Sequence, residues 1–306
     1  MINYYCPGFM EAQPIYKDLF ELKKYHPECF YDNVNIKKIY GNFPNMIWNG
    51  GTVWFGPQYT GSQIMEYFMW YSEQNITLQL ICTNPILEEQ DLYDRYCNMV
   101  LDIASQFDFI EILVSSPILE EYIRNKYPHI KIDKSIIGTT SFLNSEMDNI
   151  NEYIDLLNRY NVIVLPKKYS KDFDFLNQFP HSIRSRIEIL ATDPCPRDCP
   201  YIYKHYQDYG KVQLNLQPSS TANYCYGVTN KNPFRQWNNR DQQYTYEELT
   251  KTLEPMGFSE IKLSGRTNAT HIGLYILPFL IKPEFLADVY DIILTPHGID
   301  IMSPSF

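Results

Sequence analysis

The chain has 306 residues, 44% of them hydrophobic and 20% charged, which is enough to bury a full core and too apolar for a disordered protein. Its formal net charge of −10 sets up a field that repels a polyanion, so duplex nucleic acid is excluded as a partner and only a local pocket for a small molecule or a single nucleotide remains. No run reaches the ~20 apolar residues of a membrane span, and the start MINYYCPGFM lacks the basic-then-apolar layout of a signal peptide.

The expectation is therefore a cytoplasmic protein without membrane contact. In that compartment its seven cysteines are held as thiols, for burial or for metal ligation. Tyrosine is abundant, at 26 residues, and carries no functional weight.

Residues 1–35 show no clear period and read as an N-terminal arm or cap. From residue 36 onward, short β-branched runs alternate with segments of helical period, the pattern of βα units on a parallel sheet. Candidate strands are 36–40, 76–82, 109–114, 130–137, 162–165, 186–191, 212–216 and 260–263, the seventh being weak. After the second run, Leu92, Tyr96, Met99, Val100, Ile103 and Phe107 form one helical stripe. Thr83 or Asn84 is its expected cap and Pro85 its expected first turn. Ser116 and Pro117 repeat the device after the third run. The stretch 217–243 reads as a long polar insertion after strand seven. These features make an α/β fold, a TIM-type (β/α)8 barrel open to distortion, with 36–306 as a single barrel domain.

The densest chemical signal is TDPCPRDCP at 192–200, directly after the run RIEILA. In a βα barrel that junction lies on the active face. Cys195 and Cys199 can approach one metal from a turn, and Arg197 beside them favours thiolates. Cys225, in ANYCYG, lies in the insertion expected to return to the same face. The bland reading is three unrelated buried thiols.

The Cys-x3-Cys spacing matches neither common zinc ribbons nor a ferredoxin run. It begins like the motif of radical S-adenosylmethionine enzymes, but Ile202 stands at the third position. His205 would complete a Cys3His zinc set, although it reads first as a solvated helix residue. Cys82 is placed on the correct face but across the barrel; Cys29 and Cys97 read as structural. Gly50 and Gly51 read first as a turn. No nucleophile-elbow or zinc-protease motif is present.

With RIEILATDPCPRDCP and the late segment EIKLSGRT in view, the chain resembles peptidase family U-32, the collagenase-like group. MIWNGGT and ICTNPIL resemble the family's first two barrel turns. Lys262, Gly265 and Arg266 match the Lys-Ile-Glu-Gly-Arg strand of the family, whereas Ser264 stands where the family has Glu.

The resemblance implies a barrel carrying a 4Fe–4S cluster on cysteines, oxygen-independent hydroxylation of RNA bases or quinone precursors, and a redox partner. Cys195, Cys199 and Cys225 are the ligands carried over, the fourth being Cys82, a non-cysteine ligand or an open iron site. Zinc is the alternative metal, with a peptidase as the alternative activity. A noncatalytic partner stabilised by its metal is the third reading. Arg266 and Lys262 are the candidate anion-binding residues, because a guanidinium fork pairs two oxygens; a structural ion pair is the competing role.

Overall fold

The computed structural model describes residues 1–140, 150–193, 195, 197, 199–216, 243–264, 272–273 and 275–299. Eight parallel strands close into a barrel in chain order. They are β1 (Ile2–Pro7), β2 (Val34–Gly41), β3 (Thr77–Cys82), β4 (Ile110–Val114), β5 (Lys131–Lys134), β6 (Ile163–Val164), β7 (Ile187–Thr192) and β8 (Glu260–Leu263). Closure is made by β1 on β8, with Tyr4 opposite Ile261. Helices between strands include α1 (Gln13–Tyr25), α2 (Gly61–Glu73), α3 (Arg95–Ala104), α4 (Pro117–Lys126), α5 (Ile136–Thr140), α6 (Ile150–Leu156), α7 (Phe173–Asn177) and α8 (Ile202–Gln213). Among the described residues, no helix is long and apolar enough to cross a membrane.

Two assignments from sequence are overturned. Residues 1–35 are no arm: they supply β1 and α1. The run INYYCP shows no alternation because the strand is covered on both faces, and Tyr4, Tyr5 and Cys6 are all fully buried. The run at 212–216 is no strand, since it holds the end of α8, whose Gly210 and Lys211 carbonyls bond Leu214 N–H. Eight strands is the right number, reached with β1 in place of that run. The insertion at 217–243 lies, except for Gln243, outside the described residues.

The helix after β3 starts later than its sequence suggests. Asp94 is the cap, its side chain accepting from Cys97 N–H at 2.7 Å, whereas Asn84 holds neighbouring backbone instead. Its amide donates to Ile47 O at 2.9 Å and to Gly210 O at 3.2 Å. The expected stripe does face inward: Tyr96 and Val100 are buried, and Met99, Ile103 and Phe107 pack against the core. At α4, Pro117 does open the helix after Ser116, without a side-chain cap bond.

Alternation along the strands splits the barrel into two chemistries. Outward residues such as Ile39, Leu78, Leu80, Ile112, Ile189 and Ile261 join the apolar core beneath the helices. The inward set is polar, where such barrels ordinarily stack branched aliphatic side chains. Lys38 from β2 meets Asp133 from β5 at 2.8 Å and pairs with Glu111 from β4. Gln79 from β3 donates to Asp133 at 2.7 Å, and Tyr5 from β1 donates to Glu260 at 2.6 Å.

Candidate functional site

A cavity of about 160 Å³ opens at the carboxyl ends of the strands, the face on which barrels of this type carry their sites. Its floor is the top of the polar interior. Tyr40 from β2, Leu113 from β4 and Leu190 from β7 reach it, and Lys262 and Ser264 enter from β8 and its end. Beside β8, the segment following β7 contributes Asp193 and Cys195. The two neighbouring ends are stitched together, Ser264 N–H donating to Thr192 Oγ1 at 2.7 Å.

Lys262 is buried and points inward, which settles the sequence alternative of an edge position. Its ammonium lies 3.1 Å from a Glu188 carboxylate oxygen and 4.1 Å from the centre of the Tyr40 ring. Among the described residues the Nζ atom has no aligned hydrogen bond. A buried cation held by charge and ring face alone keeps donor capacity for a third group. Burial pushes the Glu188 carboxyl above its ordinary range, against the pull of Lys262 and Lys38.

Three buried carboxylates, Glu111, Asp133 and Glu188, thus face two buried lysines, Lys38 and Lys262. Burial and the neighbouring Asp133 raise Glu111. Asp133 is also desolvated, yet Lys38 and Gln79 hold it below its ordinary range. A fourth buried carboxylate, Glu260, is met from the side by Lys37 at 2.8 Å.

Lys167, just after β6, was not singled out from sequence, and it organises the cysteine segment. Its Nζ donates to Asp193 Oδ1 at 2.9 Å, to Asp193 O at 3.2 Å and to Cys195 O. The signal that could have found it is a lysine ending the apolar run VIVLP, where a strand hands over to the active face. Asp193 in turn accepts from Cys195 N–H at 2.7 Å.

Over the mouth runs α8, placed by polar contacts at its far end. Gln213 donates to Met46 O at 3.1 Å and accepts from Trp54 N–H at 2.9 Å. Gly210 sits so close to Asn84 that a Cβ there would lie 2.3 Å from its side-chain oxygen. The helix thereby ties the segment after β7 to the loops after β2 and β3, and Ile202, His205 and Tyr209 line the cavity. His205, read from sequence as a solvated residue, is half-buried and stacks on Tyr209 at 4.5 Å between ring centres.

Of the expected metal ligands, Cys195 lines the cavity and Cys199 is half-buried nearby in sequence. Cys225 and Arg266 lie outside the described residues, as does Gly265. Cys82 is corrected. It has the outward parity of Leu78 and Leu80 on β3, belongs to the apolar core, and its charge would be felt by Cys97 of α3. It is therefore turned away from the mouth. Among the described residues no group of three or more His, Cys, Asp or Glu could hold a metal ion, so Cys195, Cys199 and His205 do not form one together. Two described thiols alone do not make a cluster site, and the fit turns on Cys225.

The Gly50–Gly51 pair divides between two roles. A Cβ on Gly50 would lie 2.4 Å from Thr83 O and 2.5 Å from Asn84 Cα, so this glycine permits a backbone contact. Gly51 lines the cavity.

The chain is similar in fold to a solved U32 peptidase. That structure, titled "The Structure of the U32 Peptidase Mk0906", matches with a TM-score of 0.46 at 13% identity, covering 86% of this chain and 92% of that one. No family model matches the chain, and no curated protein matches it.

Proposed function

We propose that this chain is a U32-like barrel enzyme that binds a small molecule carrying an anionic group at the carboxyl-end mouth. Lys262 anchors the anion, with Arg266 as its partner. Cys195, Cys199 and Cys225 are proposed to hold an iron–sulfur cluster at the same rim, as the sequence resemblance implies. The observation that carries the binding role is Lys262: a buried ammonium facing the cavity, paired with Glu188 and with no aligned hydrogen bond among the described residues. Glu188 and the Tyr40 ring compensate its charge, and its remaining N–H donors are free to meet a ligand. When bound, a cluster would supply electron transfer, while Lys262 binds and orients the ligand.

Two measurements test the reading. Acetate, the simplest carboxylate probe, should perturb the mouth residues in NMR spectra of the full chain, and Lys262→Met should abolish the effect. Absence of any effect on the wild type refutes the anion site. Anaerobic purification followed by iron, sulfide and zinc analysis tests the metal centre. Iron with acid-labile sulfide supports it, and one zinc per chain or no metal overturns it.

A further inference from the structure

The turn after β1 places one carboxyl in the mouth that the reading above does not use. Gly8 ends the strand with φ +86°, a conformation that glycine adopts without strain. The chain then folds back so that Glu11 packs over it. A Cβ added to Gly8 would lie 3.5 Å from the Glu11 carboxyl carbon and 3.2 Å from Ala12 Cβ. Both Gly8 and Glu11 line the cavity, and Glu11 Oε2 is buried without a hydrogen-bond partner among the described residues.

We propose that Glu11 is the acid–base residue of the mouth, exchanging a proton between its Oε2 and a heteroatom of a small molecule anchored at Lys262. The proton leaves Oε2 for the ligand and is regained from solvent through the open mouth, so no other reactant is required. The inference rests on the mouth being a ligand site. Its independent support is geometric: the glycine turn that aims the carboxyl, and the buried Oε2 that has no partner among the described residues.

The surroundings suit the role. Burial pushes the Glu11 carboxyl up to about 7, opposed only by the backbone N–H groups of Glu11 and Met10. An acid–base group works best near the operating pH. Facing it are Tyr16 of α1 and Tyr67 and Tyr71 of α2, all with their phenols raised, first by burial. Their hydroxyls therefore stay neutral around pH 7. Across the cavity lie Tyr40 and Lys262 from the strands, Asp193 and Cys195 from the segment after β7, and His205, Tyr206 and Tyr209 from α8. Asp193 is already engaged by Lys167.

The full chain labelled with 13C at glutamate Cδ, titrated by NMR, tests the assignment directly. Wild type should show a carboxyl with a midpoint near pH 7 that is absent from Glu11→Gln. A midpoint in the ordinary range of about 4.3 overturns the proposal. Acetate is the ligand probe. Its affinity should fall about tenfold per pH unit above the midpoint in wild type, because proton and anion bind together, and stay flat in Glu11→Gln. Acetate binding whose pH profile is unchanged in Glu11→Gln overturns the Glu11 assignment alone. No acetate binding at any pH overturns the mouth as a site, and Glu11's role with it.

Discussion

Replacing Lys38 by Met tests how far the polar interior of the barrel depends on its buried charge pairs. Lys38 is 2% exposed, and its two partners Asp133 and Glu111 come from different strands. Removing one member of a buried ion pair costs about 3–5 kcal/mol, because the remaining charge stays desolvated. Asp133 keeps other donors, namely Gln79 at 2.7 Å and Val162 N–H at 3.0 Å, and Glu111 can take up a proton. The loss should therefore lie near the lower figure, about 3 kcal/mol. With an unfolding entropy of about 2.1 cal/mol/K per residue, that corresponds to a fall in Tm of roughly 5 °C.

The sign with pH follows from the carboxylates. Without Lys38 both acids have raised folded pKa values, so the deficit is largest at pH 8 and shrinks as pH falls and they become neutral. Urea unfolding at pH 5 and pH 8 measures it. A loss below about 1 kcal/mol at both pH values, the range of an exposed pair, would refute the reasoning. Adding Asp133→Asn to the variant should recover part of the stability at pH 8, since a buried amide needs no counter-charge.

Three further outcomes are expected. Gly50→Ala should lower stability by about 1–3 kcal/mol, the cost of overpacking, because its Cβ would meet the Thr83 and Asn84 backbone; urea unfolding reads this, and an unchanged midpoint refutes the contact. Mass-spectrometric mapping of alkylation of the folded, metal-free chain at pH 8 should find Cys6, Cys82 and Cys97 protected, since burial raises all three thiols, Cys82 to about 12, while Lys167→Met should speed modification of Cys195 several-fold by freeing its segment. For Glu11, stability is fully present below the ordinary carboxyl range and lost as pH rises through about 7; relative to wild type, Glu11→Gln should gain up to about 3 kcal/mol between pH 4 and pH 8, measured by urea unfolding.

Much of the barrel was legible from local pattern. Runs such as 109–114 and 162–165 read as strands because each is apolar and β-branched by itself, and the stripe from Tyr96 to Val100 read as a helix because its period is local. The segment at 192–200 was placed on the active face because a strand end and a pair of thiols adjoin in sequence. The run INYYCP was missed for the opposite reason. Its burial on both faces is decided by β2, β8 and the covering helices, and no alternation survives to mark it.

The sequence by itself determined the βα alternation, the cysteine segment at the end of one strand, and Lys262 on the last strand, because each depends on neighbours within a few residues. The tertiary structure alone decided which way each side chain points. Closure turned Cys82 outward to Cys97, gathered Lys38, Glu111 and Asp133 from three strands, and set Glu11 in the same mouth as Lys262. Those relations join residues far apart along the chain, and their energies come from desolvation and Coulomb forces that exist only once the cylinder has closed.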